Sequence, residues 1–504
     1  MNATPGQRPL PDVALASSAI PGQASLWRLP LVALGLGTLL WLGLFWEEAA
    51  HAVRIWETSA AYNHGWLILP IALWLAWVRK HRLAELRPQP APLYALLALP
   101  VAAFWLLSER MGVMEGRQFG ALGLFYALFL ATMGWRVTLA MAAPLLYLAF
   151  LVPFGAFTVP ALQVITARMI DWGLNFTGIP HYVDDLLIEI PAGSFYVAEA
   201  CAGLRFIIAA LAFGALYAFV MYRSPWRRLA VMALALLVPI IANGIRAFGL
   251  VMLGHAWGSA AAIEADHVIY GWGFFSVVIL LMILAGLPFR EDLADPPPLS
   301  GPGPAGRPAL ALAAGGLAIG LAAAGPALAS RLDIAGMAAP VERPLALAAF
   351  GPCAAEDGRL RCEGGVLVAA RILLFSPAAN WDAVAETRRQ LTLAHSDQDI
   401  TFDVLSPGGR AWRARQPRHE PGTTAVATWL DGQMVGDGVR SRATQAMHAL
   451  QGGAAAGPVL VVLELRPENG APSDGGRERT LIRDLMQAQG PAIARGAAAL
   501  SLAR

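Results

Sequence analysis

The sequence predicts an all-α polytopic membrane bundle, about eight core spans plus one linking span, followed by a soluble α+β domain. Three observations carry this. Of 504 residues, 57% are hydrophobic and 14% charged, against roughly 25% charged in ordinary soluble chains. Apolar runs long enough to cross a bilayer recur up to residue 328. Beyond residue 330 the pattern changes to short strand-like and helix-like stretches.

The candidate spans fall near residues 30–46, 66–78 (short), 91–108, 118–133, 137–153, 201–222, 229–253, 268–288 and 309–328. Basic segments sit at alternate span ends: Arg28 with the N-terminal tail, "RKHRLAELR" (79–87), Trp135–Arg136 and "YRSPWRR" (222–228). Because translocating Lys and Arg is costly, these ends are expected in the cytoplasm. The chain then divides into a cytoplasmic tail (1–29), a membrane domain (30–288), a Pro/Gly-rich linker with the ninth span (289–329) and an extracytoplasmic domain (330–504). The first run reads as an uncleaved anchor. A polar lead of 29 residues precedes it, and Glu47–Glu48 adjoin the small-residue stretch "AAHA". Three segments are expected outside the membrane: 47–65, 154–200 and 254–267. Within the second, "VITARMIDWGLNF" (164–176) reads as an amphipathic helix on the membrane surface, and "DDLLIEIPAGSFYVAEA" (184–200) as a strand leading into Cys201.

A net charge of +2 points to no nucleic-acid partner. Lys80, the single lysine, lies in the basic "RKHR" cluster, which excludes a serine–lysine dyad. HExxH and GxSG motifs are absent, so zinc and serine proteolysis lack their usual support. His181, His255 and His267 are a weak metal set; neither metal nor cofactor is expected. Of three cysteines, Cys353 and Cys362 flank an Asp–Gly turn at a spacing suited to a disulfide loop. Cys201 remains as a thiol to explain.

Ionisable groups within spans are functional hypotheses by default. Asn243 and Arg246 share a helix face at i, i+3, in "ANGIRAFG". His267, Tyr270, Gly271 and Phe274 align on the next span. Cys201 lies near the start of its helix, where the dipole and a nearby cation favour a thiolate. The set suits acyl transfer: Cys201 as nucleophile, His267 as acid/base, Arg246 on the oxyanion or substrate. Glu199, Arg205 and Asn243 are supporting candidates.

The blocks "EACAGLR" (199–205), "ANGIRAFG" (242–249) and "HVIYGWGFF" (267–275) resemble, in this order, the signature blocks of the exosortase/archaeosortase family. "YNHGWLILPIALWL" (62–75) is similar to that family's early block. The resemblance covers roughly residues 30–290 and implies Cys201, Arg246 and His267 as catalytic residues. It implies a membrane cysteine endopeptidase or transpeptidase of the bacterial inner membrane, with its catalytic face outside. Implied partners are exported proteins whose C-terminal signal joins a short motif, often Pro-Glu-Pro, to a membrane helix and basic tail; the lipid bilayer; and an envelope acceptor. Ala202 stands where many relatives carry serine. A competing reading is a non-proteolytic exopolysaccharide polymerase or transport protein, in which Arg246 and His267 line a polar path.

In the outer domain, 365–375, 400–405 and "GPVLVVLELR" read as strands, and 381–394 and "RSRATQAMHAL" as helices. Asp431–Gly432 marks a hairpin. "TWLDGQMVGDGVRSRATQAMHAL" resembles the accessory domain often fused to exosortases or encoded beside them in exopolysaccharide-producing bacteria. "SDQDITFD" (396–403) lacks the carboxylate pattern of a calcium loop.

Overall fold

The computed structural model describes residues 23–84, 86–258, 273–291, 306–336, 339–392, 399–406, 411–417, 422–451, 456–468 and 475–502. Ten helices of the membrane part organise it: α1 (Gln23–Leu44), α2 (Trp46–Thr58), α3 (Gly65–Val78), α4 (Ala98–Arg110), α5 (Met114–Met133), α6 (Val159–Thr177), α7 (Leu204–Met221), α8 (Pro225–Trp257), α9 (Phe274–Gly286) and α10 (Leu310–Gly336). Among the described residues, five helical stretches are long and apolar enough to cross a membrane. They become six if a bent pair counts as one, and two shorter apolar helices accompany them. The chain is a multi-pass membrane protein.

Several expectations change here. The run read as one span over 137–153 is a series of short helices, and Ala142–Leu151 turns by 64° into Ala156–Thr177. Gly155, with φ of +107°, sits at that corner. The stretch read as an amphipathic surface helix (164–176) is helical and forms most of α6. Its inward face (Leu162, Gln163, Thr166, Ala167, Ile170) is buried, while Trp172 and Phe176 stack on each other and stay exposed. The segment read as one strand is a three-stranded antiparallel meander, β1 (Tyr182–Asp184), β2 (Leu187–Ile190) and β3 (Gly193–Tyr196). It cannot run straight: Asp185 at φ +53° and Gly193 at φ +144° sit at its reversals. The run read as a ninth span, α10, packs into the bundle against α1, α4 and α5. Its alanines Ala314, Ala318, Ala322 and Ala329 are buried, and small side chains let neighbouring backbones approach.

Beyond α10, nine strands form one sheet: β4 (Val341–Pro344), β5 (Cys353–Glu356), β6 (Arg359–Cys362), β7 (Val366–Leu374), β8 (Ile400–Leu405), β9 (Ala411–Gln416), β10 (Thr423–Leu430), β11 (Gln433–Val435) and β12 (Val459–Pro467). The order is β5-β6-β7-β12-β10-β9-β8, with β4 beside β7 and β11 beside β10. Period-two alternation sends Val459, Val461 and Leu463 to one face and Leu460 and Val462 to the other. The first face is covered by α13 (Gly475–Leu502) and the second by α11 (Trp381–Thr392). α12 (Val439–Leu450) completes the domain. Asp431 and Gly432, at φ +52° and +72°, make the expected β10–β11 hairpin, and Asp357–Gly358 repeats it between β5 and β6. Cys353 and Cys362 are register partners across that second hairpin and form a disulfide.

The sheet domain docks on the loop that ends α4. Arg442 of α12 donates to the carbonyls of Met111 and Gly112, each at 2.9 Å. Asn380 donates to the Glu109 carbonyl and carboxylate, at 2.9 and 2.8 Å. Arg110, fully buried, pairs with Glu109 and with Asp333 of α10.

Candidate catalytic site

Cys201 stands on a single 3-10 turn, Glu199–Ala202, between β3 and α7. The turn closes through the Cys201 amide donating to the Ala198 carbonyl at 2.9 Å. Gly203 follows at φ +77°, and α7 begins at Leu204. Ala202 and the left-handed Gly203 therefore separate Cys201 from the helix, and the thiol is not part of its first turn. Ala202 is buried against Leu162 and Ile207, an apolar seat. Cys201 is half-buried beside the cluster that joins α6, the meander and α8.

Two helices hold this turn. From α6, Gln163 donates to the Val197 carbonyl at 2.8 Å, fixing the approach to the cysteine. From α8, Asn243 donates to the Cys201 carbonyl at 2.8 Å and to Thr166 Oγ1 at 3.2 Å. The oxygen of the same amide accepts from Arg246 Nη1 at 3.4 Å. Asn243 and Arg246 are each 1% exposed, so the guanidinium is a fixed cation in a protein-lined setting. Arg246 lies eleven residues before the end of α8, about 16 Å at 1.5 Å per residue.

Space is tight because glycine makes it so. A Cβ on Gly203 would stand 2.5 Å from Asn243 Cγ. Gly173 and Gly244 serve the α6–α8 contact in the same way, against Phe248 and Met169. Arg205 and Arg246 both approach the Phe206 ring, at 4.9 and 5.5 Å from its centre, and Phe206 stacks on Phe275 at 3.8 Å. An aromatic face partly offsets the repulsion of two like charges. That stack ties the start of α9 to the site.

The structure thus brings Cys201, Asn243, Arg246 and Arg205 together. Glu199 is exposed on the cysteine's own turn. His267, Tyr270 and Gly271 lie outside the described residues. Sequence reasoning missed Gln163, Thr166 and Phe206. The i, i+3 spacing of Gln163 and Thr166 on an otherwise apolar helix face was the signal available for two of them. The early block is anchored nearby: Tyr62 donates to the Phe154 carbonyl at 3.2 Å. Among the described residues no group of three His, Cys, Asp or Glu side chains could hold a metal ion. His181 instead binds Asp171 at 2.9 Å and the Ile179 carbonyl at 2.8 Å.

Those two partners, the Ile179 carbonyl first and the Asp171 carboxylate second, raise the His181 pKa above 6.5. A raised folded-state value means that the clamp contributes fully below the unfolded-state value near 6.5 and is lost as pH rises through the folded one. Thermal denaturation across that window should show stability falling with pH, and His181→Asn should flatten the dependence. An unchanged slope in His181→Asn would refute the assignment.

No curated protein and no solved structure matches the sequence. Residues 56–284, which contain the whole Cys201–Asn243–Arg246 arrangement, match the family model described as transmembrane exosortase. Over that stretch, a little under half of the sequence, the chain is similar to the transmembrane exosortase family.

Proposed function

We propose that the chain is a membrane cysteine endopeptidase/transpeptidase that cleaves C-terminal sorting signals of exported proteins through a thioester on Cys201. The family match over residues 56–284 supports a membrane sorting enzyme, and one observation carries the chemistry: a single buried amide, Asn243, touches both the Cys201 carbonyl and the Arg246 guanidinium. A nucleophile and a fixed cation are thereby held in one rigid unit, which is what acyl transfer requires.

In this reading the Cys201 thiolate attacks the scissile carbonyl carbon. The oxyanion that forms is held toward Arg246. Collapse breaks the C–N bond, and His267 in its protonated form supplies the leaving amine with a proton. Water or an acceptor amine then attacks the thioester, giving its proton to His267, and the thiolate leaves. The substrate would present a short motif such as Pro-Glu-Pro above a membrane helix and basic tail, so bilayer depth sets the cut. The site would face outward from the bacterial inner membrane, and the cleaved protein would pass to an envelope acceptor, with a link to exopolysaccharide assembly.

Cys353 and Cys362 are joined, so Cys201 is the one thiol of the chain, and any thioester is assignable to it. Incubation with a tagged candidate signal is expected to yield a hydroxylamine-sensitive adduct that Cys201→Ala lacks. Processing in that variant should fall by about 10⁴-fold or more, as for other removed nucleophiles. Undiminished processing in Cys201→Ala would overturn the reading and favour the polymerase or transport alternative.

A further inference from the structure

Arg205 is the second residue of α7, four residues after Cys201. It is partly exposed, so a molecule entering the site can reach it. Its guanidinium lies 4.9 Å from the centre of the Phe206 ring, and that of Arg246 lies 5.5 Å from the same centre. The two guanidinium carbons are therefore no more than about 10 Å apart. The ring is 8% exposed and stacks on Phe275 of α9. A guanidinium against so buried a ring is held within the bundle instead of snorkelling away from it.

The two cations differ in their surroundings. Arg246 donates to the Asn243 oxygen and is 1% exposed. For Arg205 the Phe206 ring is the contact of its charge among the described residues, and its Nε is buried without a hydrogen-bond partner. Glu199, six residues earlier on the cysteine turn, is exposed and forms no ion pair with it. An aromatic face attracts a cation but supplies no carboxylate oxygen for its N–H groups. Ionisable groups placed at the inner wall of a membrane bundle are expensive and mark the path of a charged or polar partner.

The spacing limits what that partner is. An extended peptide advances about 3.3–3.6 Å per residue. A chain whose scissile carbonyl lies between Cys201 and Arg246 therefore brings side chains one to three residues away within reach of Arg205. A carboxylate there accepts from the guanidinium fork, of which Nε is one prong, in the bidentate geometry that arginine favours. We infer that Arg205 is a specificity-determining residue, binding a carboxylate side chain of the cleavage motif within three residues of the scissile bond. This role rests on the reaction proposed above and divides the work of the two cations. Arg246 meets the oxyanion formed at the carbonyl, while Arg205 reads the charge of a neighbouring side chain.

The test uses the full chain in proteoliposomes with two tagged substrates, one carrying a Pro-Glu-Pro motif and the other Pro-Gln-Pro. The wild-type protein should process the Glu motif about tenfold or more faster, as kcat/KM, than the Gln motif. In Arg205→Gln that ratio should fall close to one, and Arg205→Lys should restore part of it. Arg205→Glu should prefer a Pro-Lys-Pro motif to Pro-Glu-Pro. A purely structural role, or a lipid phosphate as the partner of Arg205, would lower both rates together and leave the ratio unchanged; that result overturns the assignment. So does equal processing of the two motifs by the wild type, a readout that needs no variant to fold. Failure of the proposed reaction looks different: neither motif then forms the hydroxylamine-sensitive adduct on Cys201, and the role of Arg205 falls with it.

Discussion

Gly203→Ala is expected to reduce signal processing by at least about 100-fold, while the protein still accumulates in membranes. Two costs coincide at this position. The residue has φ of +77°, where a side chain costs roughly 1–2 kcal/mol. The new Cβ would also stand 2.5 Å from Asn243 Cγ and 2.8 Å from its Oδ1. The amide must move, and it is the group that holds the Cys201 carbonyl and meets Arg246. A displacement of about 1 Å is enough for the expected loss. Gly178→Ala separates the two costs, because Gly178 has φ of +72° with nothing within 4 Å of a Cβ. It should lose stability of the same order yet keep processing within a few-fold. The measurement is the processing rate of a tagged substrate, normalised to enzyme level. If the two alanine variants behave alike, the contact between Gly203 and Asn243 does not position the thiol.

Arg110→Met should destabilise the junction between membrane part and sheet domain by about 3–5 kcal/mol, the usual cost of leaving one member of a buried ion pair behind. Arg110 is fully buried and meets Glu109 and Asp333. Glu109 also accepts from Asn380 of the sheet domain, so its uncompensated charge would sit within the docking contact. Limited proteolysis should release the C-terminal domain faster, and denaturation should begin earlier. Arg389→Met is the contrast. Its pairs with Glu386 and Asp382 are solvent-exposed, and such pairs contribute about 0–1 kcal/mol. Equal sensitivity of the two variants would show that the Arg110 cluster does not hold the domains together.

Local chemistry made much of this legible beforehand. The Asp431–Gly432 hairpin was readable because few residues besides Gly, Asn and Asp enter positive φ. The β7 and β12 strands were readable from their apolar runs. The pairing of Cys353 with Cys362 was open to inspection since nine residues around a tight turn place them opposite each other. α13 was not. It carries Gly490, Pro491 and Gly496, which argue against a helix of that length. Its apolar stripe of Leu481, Ile482, Leu485, Met486 and Ile493 is buried on the sheet, and that packing outweighs the breakers. The bend of 64° before α6 was equally hidden, because hydropathy records length and polarity but not direction.

Composition, span-end arginines and the spacing of Cys201, Asn243 and Arg246 were enough to predict a membrane protein with a thiol just ahead of one span and an intramembrane cation on the next. Each follows from transfer energies or helical periodicity, which act along the chain. Which atoms meet was decided by the tertiary structure. Gly203 and Gly244 let α8 approach the cysteine turn and α6 closely enough for one amide to touch Thr166, Cys201 and Arg246. Contacts between segments 77 and 42 residues apart depend on the packing of whole helices, and no local pattern encodes that distance.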